Sequence, residues 1–240
     1  MSRVVRGFWG PREESAEALA DRWKQTLDRL SSLLPALAPE SGEGWTWQQI
    51  HPSGPATALR ADAGSILAAL RSVQAEDGWS DRTGYRLSLV IGGESGWRAD
   101  VRGAAGGASE FVPQNLIMEI DAPDGAAVPE AELLTLVAET WQPDFGDVTD
   151  DDVLDALEDE ADFGPGEPSV GRLGYLSPAR AALVPADLPD VTRTELPTGG
   201  LLLAVAPPAA ETDKVVQANV RLREAGALQP LPKPMDRSVW

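Results

Sequence analysis

The chain contains no cysteine and a single histidine, His51. The missing cysteines exclude disulfide bonds, thiol nucleophiles and cysteine zinc sites, and one histidine cannot build a clustered histidine metal centre. The composition fits a reducing compartment, in which disulfides are rare. A serine triad would have to use His51, which lies in the proline-flanked segment QQIHPSGP. We interpret it as an ordinary surface or core histidine.

Long apolar runs and basic charge are also scarce. No segment approaches the length that crosses a bilayer, and the first residues, MSRVVRGFWG, lack the apolar stretch of a signal peptide. Lys and Arg number 20 against 38 Asp and Glu, a net charge of −18. This charge disfavours nucleic acid and anionic membranes and favours a basic partner. We therefore expect a soluble, cytoplasmic protein that binds neither nucleic acid nor membrane.

Common catalytic and cofactor motifs are missing as well. The segment GESG, 93–96, does not have the spacing of the GxSxG nucleophile motif. The glycine-rich segment GAAGGA, 103–108, lacks the lysine and the spacing of a phosphate loop. The sequence thus predicts no cofactor, no metal, no catalytic residue and no enzymatic activity.

The stretch FWGPREES, Phe8–Ser15, predicts a corner between a strand and a helix. Arg3–Trp9 favours a strand, and Pro11 suits the first turn of a helix because its missing N–H would have no partner there. Apolar residues then recur at helical spacing up to Pro35, so we expect a helix that begins at Pro11 and ends before Pro35. Phe8 and Trp9 are interpreted as core residues rather than ligand contacts.

Similar patterns predict the elements of the remaining chain. A turn-rich insert spans Ala38–Trp45. Four further helices are expected. One has an apolar face from Leu59 to Val73, and a second runs from Pro129 to Trp141. A third is capped at Thr149 and reaches Leu157, and the last begins at Thr212 or Asp213 and stops at Gly226. Strands are expected in a hairpin from Tyr85 to Gly103, then at Asn115–Ile120, Gly171–Leu176, Val191–Leu196 and Leu201–Ala206.

The order of these elements indicates the fold class. The strands come in groups with helices between the groups, which favours an α+β fold with a mostly antiparallel sheet packed with several amphipathic helices. We expect one domain over 1–240 that ends in a proline-rich extended tail at about 229–240.

The segment Asp144–Glu167 is the strongest local feature, because it is rich in carboxylates and contains no Lys, Arg or His. Three interpretations are open: a solvated helix, a site for a hard cation, and a surface for a basic partner. The calcium-loop pattern is not present in register. Mutual repulsion of the carboxylates costs stability, and a basic partner would relieve it. The residues predicted to contact such a partner electrostatically are Asp150, Asp151, Asp152, Asp155, Glu158, Asp159 and Asp162.

Several blocks of the chain, taken in order, resemble immunity protein family 52 of bacterial polymorphic toxin systems. Gly7–Trp23 resembles its opening aromatic-Trp-Gly segment, Val112–Ile120 its Pro-Asn strand, and Trp141–Leu154 its Trp-x-Pro-Asp block. Val170–Arg180 and Pro197–Val205 are similar to its Gly-x-x-Tyr-Leu-Ser and Gly-Gly strands. Gln114 departs from this pattern, because it lies between Pro113 and Asn115.

The resemblance implies an α+β protein that binds and neutralises a toxin encoded beside it, usually one with a restriction-endonuclease-like nuclease domain. It implies no catalytic residues. The predicted partner is thus a basic nuclease domain, inhibited stoichiometrically. Two other functions stay open at this point: a metal-dependent enzyme that uses the carboxylate-rich segment, and a scaffold that acts through exposed tryptophans or the tail from Pro230 to Trp240.

Overall fold

The computed structural model describes residues 2–37, 46–75, 78–92, 96–164, 166–207 and 212–240. These residues contain a ten-stranded sheet with the strand order β3-β2-β4-β5-β6-β1-β7-β8-β10-β9. All pairings between these strands are antiparallel. The strands are β1 Ser2–Trp9, β2 Thr46–Gln49, β3 Thr57–Arg60, β4 Tyr85–Gly92, β5 Arg98–Ala105, β6 Gln114–Asp121, β7 Phe145–Thr149, β8 Leu173–Leu176, β9 Thr192–Glu195 and β10 Leu201–Ala204.

The helices lie on both faces of the sheet. They are α1 Ala16–Leu33, α2 Ala63–Gln74, α3 Glu130–Trp141, α4 Asp151–Ala161, the single turn α5 Pro178–Ala181, and α6 Asp213–Glu224. One core cluster joins α1, α2 and α3 to Val5 and Trp9 of β1, and a second joins α4 and α6 to strands β8 and β10, with Phe8 packed against it. Successive residues of β1 thus face different cores, as the pleat of a strand requires. The α+β prediction is confirmed.

The start of α1 differs from the sequence-based prediction. The helix begins at Ala16, and the side chain of Ser15 accepts a hydrogen bond from the Ala18 N–H at 3.2 Å. The segment predicted to form its first turn is extended, because the Arg12 N–H donates to the Gly107 carbonyl and Glu13 forms a bridge with Gly106. A serine oxygen can serve the free N–H groups of a first turn, which explains the later start.

The second helix also begins later than predicted. Leu59 lies in β3 opposite Trp47, and α2 begins at Ala63 with Asp62 as its N-cap. The hairpin of β2 and β3 was missed, since four-residue strands carry too little alternation to detect. The predicted insert Ala38–Trp45 lies outside the described residues, which resume at Thr46.

The other predicted elements are confirmed with small shifts. The hairpin of β4 and β5, strand β6 and helix α3 agree to within a few residues. Asp150 rather than Thr149 caps α4, which continues past Leu157 to Ala161. The last three strands and α6 lie where they were expected, with Gly226 just beyond the end of α6 in a left-handed conformation. The tail 229–240 contains no helix or strand.

Candidate functional site

The acidic segment has two structurally different parts, and β7 carries the first. Asp144, Asp147 and Asp150 recur every three residues along this strand and its ends, and each is paired with arginine. Arg180 Nη2 lies 2.7 Å from Asp144 Oδ2, and both side chains are fully buried. Arg6 forms two hydrogen bonds with Asp147, at 2.8 and 2.6 Å.

Asp150 is the third of these carboxylates. It accepts from Arg3 at 3.2 Å and from Arg172 at 3.1 Å, and its other oxygen caps α4 through the Val153 N–H. Asp150 was predicted as an electrostatic contact for a partner, and the structure shows that its carboxylate is engaged within the chain.

The pKa of Arg6 shows the effect of its pairing with Asp147. Burial alone would lower the pKa of Arg6, but the charge and hydrogen bonds of Asp147 raise it above its ordinary value. Removing one partner from a buried pair leaves an uncompensated charge. Removing one of these carboxylates would therefore destabilise the fold, because its arginine partner would be left unpaired.

The second part of the acidic segment lies on the solvent face of α4. Val153, Ala156 and Leu157 are buried, and α4 packs against α6 through this side. The opposite side exposes Asp151, Asp152, Asp155, Glu158, Asp159, Glu160 and Asp162. Within the described ranges, none of these seven carboxylates forms an ion pair. The structure thus brings the other six predicted contact residues together on one exposed helix face.

A groove lies between α4 and β1, and we call it the α4 groove. It encloses about 220 Å³, and its walls include Arg6, Phe8, Leu157, Glu158, Phe163 and Glu167. Phe8 is only half-buried and stacks on Phe145 with ring centroids 5.2 Å apart. Sequence reasoning placed Phe8 in the core and missed the groove, because more than 140 residues separate Phe8 from Glu158.

The remaining residues of FWGPREES have structural roles. Trp9 is buried, as predicted, and donates to Gln114 Oε1 at 3.0 Å. Arg12 pairs with Glu14 and lies 5.0 Å from the centre of the Trp9 ring. Burial lowers the pKa of Arg12, while Glu14 opposes that shift.

Gln114, at which the chain departs from the Pro-Asn pattern, is a buried hydrogen-bonding centre. Its Oε1 also accepts from the Gly106 N–H, and its Nε2 donates to the carbonyls of Arg12 and Gly107. All four hydrogen bonds fix the corner after β1 against the segment after β5. A single sequence carries no signal for this role.

The C-terminal tail is attached to the body of the protein. Gly10 N–H donates to the Ser238 carbonyl at 2.8 Å, and Met235 is buried. The Trp240 N–H donates to Asp144 Oδ1 at 2.7 Å, and the Arg180 guanidinium lies 5.3 Å from the Trp240 ring centre. The tail therefore packs against the same buried ion pair that anchors β7.

The metal-dependent enzyme and the scaffold would each need structural features of their own. In the part of the chain that it describes, no three His, Asp or Glu side chains are arranged to hold a metal ion. His51 is half-buried, and its Nε2 lies 2.8 Å from Thr57 Oγ1. Among the described helices, none has both the length and the apolar character needed to span a bilayer.

Comparison with known proteins assigns the chain to a family. The family model described as immunity protein 52 matches residues 4–231, nearly the whole chain. No curated protein matches. The matched range includes the β7 carboxylates, α4 and the α4 groove, and it ends before the last nine residues of the tail.

Proposed function

Because the chain belongs to the immunity protein 52 family and is thus an immunity protein of a toxin system, we propose that it binds a basic nuclease toxin stoichiometrically. Binding occurs in the cytoplasm of the producing cell, and it blocks the nuclease cleft or holds the nuclease inactive. The toxin is the cognate one, encoded beside this chain. No catalytic step by the immunity protein is involved.

The exposed acidic face of α4 carries this proposal. Its carboxylates have no ion-pair partner in the described ranges, and the chain has a net charge of −18. A nuclease needs a positive surface to hold a phosphate backbone. Complementary charge would steer the two proteins together and would relieve the repulsion within α4.

The first test is a titration of the toxin's nuclease domain with this protein while DNA cleavage is followed. Cleavage should disappear at one equivalent, with a complex visible by size-exclusion chromatography. Undiminished cleavage without a complex would overturn the proposal. A complex that leaves cleavage intact would retain the toxin partner but refute inhibition of a nuclease.

A second test asks whether the α4 face makes the contact. Four carboxylates are neutralised by Asp151→Asn, Asp152→Asn, Asp155→Asn and Asp159→Asn. The matched control removes four exposed carboxylates elsewhere, by Asp21→Asn, Glu132→Gln, Asp187→Asn and Glu195→Gln. Both variants lose the same net charge, so the α4 variant should associate at least about threefold more slowly than the control. Equal association rates would remove α4 from the interface.

A further inference from the structure

Strand β9 lies at one end of the ten-stranded sheet, and its outer edge is open. It pairs with β10 on one side only, and all of its residues, Thr192–Glu195, are exposed. An open edge presents a row of N–H and C=O groups that can pair with another strand. The sheet can therefore be extended by a further chain at β9.

The hydrogen bond next to β9 shows which of its residues face outward. The Leu196 N–H donates to the Gly200 carbonyl at 2.8 Å, so Leu196 turns its N–H towards the β10 side. In an antiparallel pair, the backbone groups of successive residues point alternately towards the partner strand and away from it. Those of Thr194 consequently point to β10, and those of Arg193 and Glu195 point away from the sheet. Within the described ranges, no residue binds these outward N–H and C=O groups.

The two outward-facing residues carry opposite charges. Arg193 and Glu195 lie two positions apart, so their side chains share one face of β9. Among the residues that the structure describes, Glu195 forms no ion pair. Arg193 donates to the Pro185 carbonyl, an exposed contact with a neutral acceptor. Both side chains are thus able to take a partner of opposite charge.

A second copy of the same strand supplies both partners. When two copies of β9 pair antiparallel about a two-fold axis at Thr194, Arg193 of each copy lies opposite Glu195 of the other. Both positions have outward backbone groups, so each such pair exchanges both of its N–H···O bonds. The neighbouring registers that keep outward groups opposite each other would pair Arg193 with Arg193 or Glu195 with Glu195. Like charges directly opposite are destabilising, so charge selects a single register.

The other edge of the sheet lacks this self-complementarity. Strand β3, Thr57–Arg60, has one charged residue, so no symmetric pairing of β3 places opposite charges across from each other. Arg60 instead forms an exposed ion pair with Asp62 at 3.6 Å. The complementary pattern is thus a property of β9 and does not follow from its position at an edge.

A hollow beside β9 leaves room for the second copy. It encloses about 590 Å³ between β9, α1 and α3, and Leu33, Leu196 and Leu202 contribute apolar surface to it. Thr194 also lines this hollow, which therefore lies next to the two-fold axis. Apolar surface on both copies would be brought together around the paired strands.

The net charge of −18 opposes contact between two copies, but most charges at this hollow are compensated. Arg29, which lines the hollow, is paired with Glu139. Asp28 beside it is paired with Lys24. Of the lining residues, all of which the structure describes, only Glu132 has a charge without a partner. Repulsion from more distant carboxylates is screened beyond about 8 Å at physiological salt.

We propose that two copies of the chain associate through β9, which joins their sheets into one continuous antiparallel sheet about a two-fold axis at Thr194. Arg193 of each copy leaves the Pro185 carbonyl and pairs with Glu195 of the other. The contact is weak, because the paired edge is short and small interfaces bind transiently. It is independent of the proposed toxin complex.

The test is sedimentation equilibrium of the full chain at physiological salt. The unaltered protein should be monomeric at about 1 µM and should form dimers by about 500 µM. Arg193→Glu and Glu195→Arg each place like charges across the interface, so each should weaken dimerisation by at least about tenfold. Arg60→Glu makes the same charge change as Arg193→Glu at the other edge of the sheet, and it should leave dimerisation unchanged.

A mixture of the two β9 variants tests the register. One variant has two acidic residues at the edge and the other has two basic ones, so the mixture should form a heterodimer although neither variant dimerises well alone. The double variant, Arg193→Glu with Glu195→Arg, keeps the net charge and should dimerise like the unaltered protein. Circular dichroism establishes that all variants fold.

The outcomes are distinct from those of the toxin titration. A chain that stays monomeric at every concentration would overturn the proposal. A dimer that Arg193→Glu does not weaken would also overturn it, because the contact would then use another surface. Failure of the mixed variants to dimerise would refute the pairing of Arg193 with Glu195. Toxin binding measured below about 1 µM is that of the monomer and is unaffected by these results.

Discussion

Gly10 is a glycine because the tail passes over it. A Cβ atom at this position would lie 2.1 Å from the Arg237 carbonyl oxygen, far inside van der Waals contact. Its N–H group also holds the tail through Ser238. The residue therefore serves both the corner after β1 and the closure of the chain onto its own body.

Replacing Gly10 tests this attachment. Gly10→Ala should lower the free energy of unfolding by about 1–3 kcal/mol, because either the tail or the corner must move. Urea denaturation measures the change, and hydrogen exchange at the Trp240 amide should accelerate. Gly92→Ala is the control, since the nearest atom to its Cβ would lie 3.6 Å away. Equal losses in both variants would show that the tail contact contributes nothing.

Asp144 is a fully buried carboxylate with several hydrogen-bond partners. It accepts from Arg180, from the Ser177 hydroxyl and from the Trp240 N–H, so one carboxylate joins β7, the turn at α5 and the tail. Sequence reasoning grouped Asp144 with the acidic segment, although its partners lie 33 or more residues away. Burial removed it, with Asp147, from the surface available to a partner.

At the scale of elements, α4 has carboxylates at both ends, and the two ends are not equivalent. Asp151 and Asp152 lie in its first turn, where the N–H groups favour negative charge. Asp159 and Glu160 lie in its last turn, where the carbonyl groups disfavour it. The N-terminal carboxylates thus stabilise the helix, whereas the C-terminal ones oppose it.

This difference predicts opposite effects on stability. Asp159→Asn with Glu160→Gln should yield a protein more stable than Asp151→Asn with Asp152→Asn by about 1 kcal/mol at low salt, since each charge near a helix end contributes about 0.3–1 kcal/mol. Urea denaturation of the two variants measures the difference. A more stable N-terminal variant would contradict it, and high salt should shrink the difference.

At the scale of the whole molecule, the helices cover the two faces of the sheet unequally. Helices α1, α2 and α3 cover one face, and the core cluster on that side contains more buried apolar side chains than the cluster beneath α4 and α6. On the other face, α4 and α6 cover only part of the sheet, and the concave corner beside α4 stays open. The net charge of −18 surrounds this corner with a negative field.

That field predicts a salt dependence of toxin binding. Raising ionic strength from about 0.05 M to about 0.5 M should slow association by about tenfold or more, because screening weakens long-range steering. The dissociation rate should change much less, since the close contacts of a formed interface are screened less than long-range steering is. Stopped-flow fluorescence measures both rates. An association rate independent of salt would contradict electrostatic steering by the acidic surface.

The sequence by itself determined the five longer helices, most strands and the α+β class, because apolar periodicity is a local property that survives in a single chain. The single turn α5 was not predicted. It also carried the ordered blocks that resemble the immunity protein family. The helix starts at Ser15 and Asp62 were missed, because the residues before each cap pair with another segment, Arg12 with Gly107 and Leu59 with Trp47.

Only the tertiary structure decided which carboxylates are free. Asp144, Asp147 and Asp150 look like their neighbours in sequence, but strand pairing brings Arg180, Arg6 and Arg3 to them. The tertiary fold also brings Phe8 and Glu158 to the same groove and lays the tail over Gly10. Local spacing records which side of an element is apolar, whereas ion pairs and grooves depend on register between residues far apart in the chain.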